Sequence, residues 1–177
     1  VNPPAARPAP GIKIMNIKFS GRGLAFLSHY MATNDIRYYL NGIFLTPMPD
    51  GPGVIGAATN GHVLGLWRDP AGEIDRPAIL KVTKGLITAC KKPETFLENV
   101  DGRLTCVQRM DRKAGYGEEI FVQPNTRQKP SDTVEAWEVE GTFPVLHRVT
   151  PKVTDKMLGM TGAISAQYLE IMSRSLI

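Results

Sequence analysis

One arrangement recurs along this chain and constrains its fold more than any other feature: an apolar strand pattern that runs directly into a hydroxyl N-cap and a short amphipathic helix. Ile12 to Phe19 alternates apolar residues with lysines and reads as a strand. Ser20 then offers a cap, and Leu24, Leu27, Tyr30 and Met31 recur at three- and four-residue spacing, which predicts a helix over Gly21 to Thr33. Ala78 to Val82 repeats the strand, Thr83 the cap, and Lys84 to Lys92 the helix, which Pro93 ends. A weaker third start lies at Met157 to Ile177, where Ile164, Leu169, Met172 and Leu176 mark a helical stripe.

Each of the first two starts is followed by strand patterns. After the first come Arg37 to Leu45, rich in aromatic and branched residues, then the turn segment Pro47 to Gly53. Val54 to Thr59 and His62 to Trp67 follow, separated by Asn60-Gly61, a strong two-residue hairpin signal. Asp69 to Pro77 reads as a linker. After the second start come Leu104 to Arg109, Glu119 to Gln123 and Thr133 to Val139. The order strand, helix, three strands therefore occurs about twice, an internal duplication of a βαβββ unit. Two helices on one side of six to eight mainly antiparallel strands predict an α+β fold. The Pro/Ala-rich residues 1–11 read as an extended, poorly ordered arm.

Charge is unevenly spread. The formal net charge is only +4, yet no acid occurs from Val1 to Asn34, nor from Arg76 to Lys92, whereas Asp132 to Glu140 holds four acids and no base. A molecule with one basic side is suited to a polyanion approached from that side, although a solvated surface fits an imbalance of this size equally well. No run approaches the ~20 apolar residues of a membrane helix, so a soluble protein with no membrane partner is expected. Cys90 and Cys106 fall in a helix-like and a strand-like pattern and read as reduced core thiols.

Catalysis would have to use His29, His62, His147, Cys90 or Cys106. None sits in a spacing that joins a nucleophile to a base and an orienting group, and no metal-ligand or phosphate-loop spacing occurs. The expectation is a protein that is not an enzyme and needs no cofactor or metal. His62, by itself, reads as a turn residue, and Tyr38 and Tyr39 as strand aromatics facing opposite sides.

A family resemblance adds to this. Asn34-Asp35-Ile36-Arg37-Tyr38-Tyr39-Leu40-Asn41-Gly42, followed by Ala58-Thr59-Asn60-Gly61-His62-Val63-Leu64, resembles the middle domain of the bacterial DNA polymerase III β sliding clamp, whose pattern there is roughly DVRYYLNG and ATDGHRL. Val82 to Gly85, Glu140-Gly141-Thr142-Phe143-Pro144, Arg148-Val149 and Pro151-Lys152 continue the likeness, which covers Ile12 to Lys152; residues 153–177 resemble the opening of a further clamp domain or a C-terminal helix. The resemblance implies the DNA-clamp fold and a replication processivity factor, or a domain of one, in the cytoplasm at the nucleoid. It would meet double-stranded DNA without sequence preference.

Carried over, Asn34, Arg37, Tyr38, Tyr39 and Lys84 are the expected DNA-proximal residues; Lys91 joins them on the charge argument, as a basic residue beside Lys84 on the second helix. Arg37, Leu40, Thr59, Gly61, His62, Val63, Leu64 and Pro151 are the expected lining of a hydrophobic cleft that docks peptides of DNA polymerase, the clamp loader and other partners. Asn60 stands where the family usually has Asp, and Val63 where it has Arg, so the cleft rim carries less charge. A homo-oligomeric ring, a fragment of a three-domain clamp, a reduced phage- or element-borne relative, and a clamp-like adaptor or decoy that binds replication proteins without encircling DNA all stay open.

Overall fold

The computed structural model describes residues 15–109, 119–121, 135–149 and 165–175. The arm over 1–11, Pro151 and 153–164 lie outside them. Among the described residues ten strands form one antiparallel sheet, in the order β4-β3-β2-β6-β10-β8-β7-β1-β5, with β9 paired to β8. In chain order they are β1 (Ile17–Ser20), β2 (Ile43–Pro47), β3 (Val54–Thr59), β4 (Leu64–Asp69), β5 (Glu73–Ile74), β6 (Ala78–Val82), β7 (Thr95–Val100), β8 (Arg103–Arg109), β9 (Glu119–Phe121) and β10 (Glu135–Val139). The helices are α1 (Gly21–Ser28), α2 (Lys84–Cys90), α3 (Leu146–Val149) and α4 (Ala166–Ser175). The architecture is α+β.

The strand order contains an internal symmetry. The run β4-β3-β2 is completed by β6, the strand that leads into α2; the run β10-β8-β7 is completed by β1, the strand that leads into α1. Each half of the sheet thus takes its last strand from the other half. Phe19 faces Leu97 across one seam, and Leu80 faces Ile43 across the other. The two helices begin alike: the Ser20 hydroxyl accepts from Gly23 N–H at 3.4 Å and the Thr83 hydroxyl from Leu86 N–H at 3.1 Å.

Strand alternation divides the apolar residues between two faces. Ile17, Phe19, Leu45, Leu80, Leu97 and Cys106 point to the face covered by α1 and α2, where they meet Leu24, Leu27 and Leu86 in the main core. Ala57, Ile79 and Phe44 point the other way and form a second, smaller cluster with Leu40 and Phe143. Phe44 and Phe143 stack there, 4.9 Å apart and nearly parallel. α4 lies against α1, with the Tyr30 hydroxyl 2.9 Å from that of Ser175 and Tyr168 stacked on His62.

Several expectations are corrected. The first helix stops at Ser28 rather than Thr33. Arg37 to Leu45 is not one strand: Tyr38–Leu40 is a turn of 3-10 helix and pairing starts only at Ile43, so the two tyrosines are not strand aromatics. The β3–β4 loop has four residues, 60–63, because Thr59 pairs with Leu64; the second strand starts later than His62. The supposed linker contains β5, which pairs Ile74 with Ile17. β7 was not foreseen at all. Thr133, Val134 and residues 122–123 lie outside the described residues.

Candidate functional site

Two loops build a groove of about 230 Å³ on the sheet face away from α1 and α2. The first, between α1 and β2, is tied by side chains. Asn41 Oδ1 accepts from the Asp35 N–H at 2.9 Å while Asn41 Nδ2 donates to the Asp35 carbonyl at 2.8 Å. The Asp35 carboxylate accepts from the Arg37 backbone N–H at 2.8 Å, from Nε at 3.0 Å and from Nη2 at 2.8 Å. These local bonds outcompete the extended conformation that the residue types favour. They deliver Leu40, 2% exposed, into the second cluster and leave Ile36 at the loop tip 96% exposed.

The second loop is the β3–β4 turn. Asn60 Oδ1 accepts from His62 N–H at 3.0 Å and Val63 N–H at 3.1 Å, and the Thr59 hydroxyl donates to the Val63 carbonyl at 2.6 Å. Gly61 has φ +90°, and a Cβ there would stand 3.1 Å from the Arg37 guanidinium. Only glycine meets both demands without strain, so this residue is where the two loops close on each other.

Seven of the eight expected cleft residues line this groove: Arg37, Leu40, Thr59, Gly61, His62, Val63 and Leu64. The eighth, Pro151, lies outside the described residues. Three lining residues were not assigned to the cleft from sequence: Tyr39, Phe143 and Pro144. The Gly141 turn brings the last two in, its backbone against Tyr39. The lining is largely aliphatic and aromatic, its polar side-chain groups are the Arg37 guanidinium, the His62 imidazole and the hydroxyls of Thr59 and Tyr39, and this suits an extended apolar segment with few polar edges.

The expected DNA-proximal residues divide into two groups. Lys84 and Lys91 are exposed at the two ends of α2, and neither makes an ion pair among the described residues. Asn34, Arg37, Tyr38 and Tyr39 belong to the α1–β2 loop, where Arg37 and Tyr39 line the groove. Arg37 is also neutralised by Asp35 at 2.8 Å. The exposed Arg22 of α1 joins the lysines as a basic residue on the helix face.

The Arg37 side chain first, and its backbone N–H second, hold the Asp35 carboxyl down to about 2. That lies below the ~3.9 of an unperturbed aspartate. The fork's stabilisation is therefore complete above the unperturbed value and is lost only as pH falls toward about 2. A carboxyl-carbon NMR titration is expected to show Asp35 changing near that low midpoint, with the amides of 35–41 following it. A midpoint at the unperturbed value would mean that the fork is open in solution.

The two buried cysteines are free thiols in contact, and their hydrogen bond lowers the pKa of Cys106 while it raises that of Cys90. Hydrogen bonding with Cys106, then burial, pushes the Cys90 thiol above its ordinary range and keeps it protonated. Among the described residues no group of three or more His, Cys, Asp or Glu could hold a metal ion, and no helix is long and apolar enough to cross a membrane. Comparison with protein-family models, with curated proteins and with solved structures finds no match to this chain.

Proposed function

We propose that this chain is a sliding-clamp-like processivity factor, or a domain of one, that docks partner peptides in the groove and meets duplex DNA through its helix face. The observation that carries the reading is the convergence of Arg37 and Leu40 with Thr59 and Gly61 to Leu64 on one groove, joined there by Phe143 and Pro144. All of these come from segments that resemble clamp motifs. The reciprocal strand order supports it as well, since a duplicated βαβββ unit is what that family's fold requires. The proposed role is binding rather than catalysis. Lys84, Lys91 and Arg22 offer the duplex phosphates unpaired charge without base readout. DNA polymerase and clamp-loader peptides are the proposed occupants of the groove.

An NMR titration with an apolar peptide of the clamp-binding type tests the reading. Amide shifts are expected at Arg37, Leu40 and His62 to Leu64. Shifts confined to other regions would remove the groove as the docking site.

A further inference from the structure

The helix face holds a second cavity, of about 300 Å³, between α1, β4, the end of α2 and the end of α4. Its walls combine two chemistries. Phe26 and Trp67 lie 5.4 Å apart with ring planes at 47°, above Ala25, and form an aromatic floor. Arg22 and Lys91 stand at the rim with no carboxylate in the lining and no ion pair among the described residues. We propose that this cavity seats one nucleotide unit of a single-stranded nucleic acid, with the base on the Phe26–Trp67 floor and the adjoining phosphate between Arg22 and Lys91.

An apolar peptide segment would leave two cations facing it unpaired, and a bare anion would leave the aromatic floor wet. A base with its phosphate satisfies both, by stacking and by charge. Duplex DNA keeps its bases stacked inside and can supply only the phosphate. Beyond the lining, Arg174 is held by Glu170, which leaves Arg22 and Lys91 as the cations of the cavity with no ion pair among the described residues. Burial first, then Lys91 and Arg174, holds the His29 imidazole below its ordinary range, and its buried Nε2 has no hydrogen-bond partner. Added negative charge would be welcome there. The inference needs neither the groove nor ring formation, and concerns a ligand that duplex contact does not explain.

The test uses Trp137→Phe, which leaves Trp67 as the sole tryptophan of the two in the chain. A short oligothymidylate is expected to quench Trp67 saturably, and the affinity should fall as salt rises. Arg22→Ala with Lys91→Ala should weaken it by about tenfold or more, while Lys81→Ala with Arg103→Ala, which removes the same charge from the opposite face, should leave it nearly unchanged. Inorganic polyphosphate, which has no base, should not quench.

Absence of a saturable quench at low salt would overturn the proposal. So would equal weakening by the two double variants, or equal quenching by a duplex of the same length. Quenching by thymidine monophosphate but not by the oligomer would assign the cavity to free nucleotides instead. Arg22 and Lys91 are shared with the proposed duplex contact, but none of these outcomes alters the peptide titration of the groove, so the nucleotide cavity and the peptide groove fail separately.

Discussion

Replacing Phe19 by alanine is expected to destabilise the protein by ~3–5 kcal/mol, the range for emptying a buried phenylalanine site. The side chain is 0% exposed and among the largest fully buried in the described residues. Its position makes relaxation difficult. Phe19 sits on β1, directly before the α1 cap, and faces Leu97 across the seam where the first strand of one unit joins the second strand of the other. Beneath it Gly56 is so close that a Cβ there would stand 2.8 Å from the ring tip and 2.5 Å from Leu27 Cδ1. Two strands and a helix meet on this ring, and none can move inward without breaking pairing elsewhere. Urea unfolding should show a lower midpoint at unchanged slope. Since domains of this size hold only ~5–15 kcal/mol, the variant should sit near the edge of folding. A midpoint within error of the parent's would contradict the central placement of the ring.

The parts legible in the sequence were those fixed by local chemistry. Val54–Thr59 and Ala78–Val82 were expected with the bounds observed, because branched apolar runs there are bracketed by glycine, proline and a cap residue. Ser20 and Thr83 were read as caps for the same reason. β7 escaped because Glu98 and Asn99 dilute its apolar content. Its signal was the Asp101-Gly102 turn, whose positive φ values of 51° and 84° are what a tight hairpin requires.

Arg37 to Leu45 failed in the opposite direction. Its composition favours a strand, but Asp35 and Asn41, which flank the stretch and lie within it, hold the loop through hydrogen bonds that no residue-type scale includes. The groove was legible only through motif resemblance. Spacing could not join residues 37–40 to 59–64, and still less to Phe143, which arrives from far along the chain and is placed by stacking on Phe44. The expected DNA-proximal set mixed helix residues with loop residues because the resemblance includes both. The structure separates them by giving Arg37 an aspartate partner.

Two leucines of the groove should behave differently, and the contrast tests whether the groove is a surface or part of the core. Leu40 is 2% exposed and packs with Ala57, Ile79 and Phe143 in the second cluster. Leu40→Ala should therefore cost ~2–5 kcal/mol of stability, and any loss of peptide binding would follow from unfolding. Leu64 is only partly buried, at the start of β4 on the sheet face away from α1 and α2, where it lines the groove and packs against the cluster from outside. Leu64→Ser should cost about 1 kcal/mol of stability, because solvent already reaches the side chain. For an apolar peptide it should cost about tenfold or more in Kd, since the docked segment loses its aliphatic contact and meets a hydroxyl with no partner. Calorimetric titration beside urea unfolding separates the two effects. A Leu64→Ser protein that binds as tightly as its parent, or that unfolds as readily as Leu40→Ala, would show that Leu64 is not the exposed anchor of the groove.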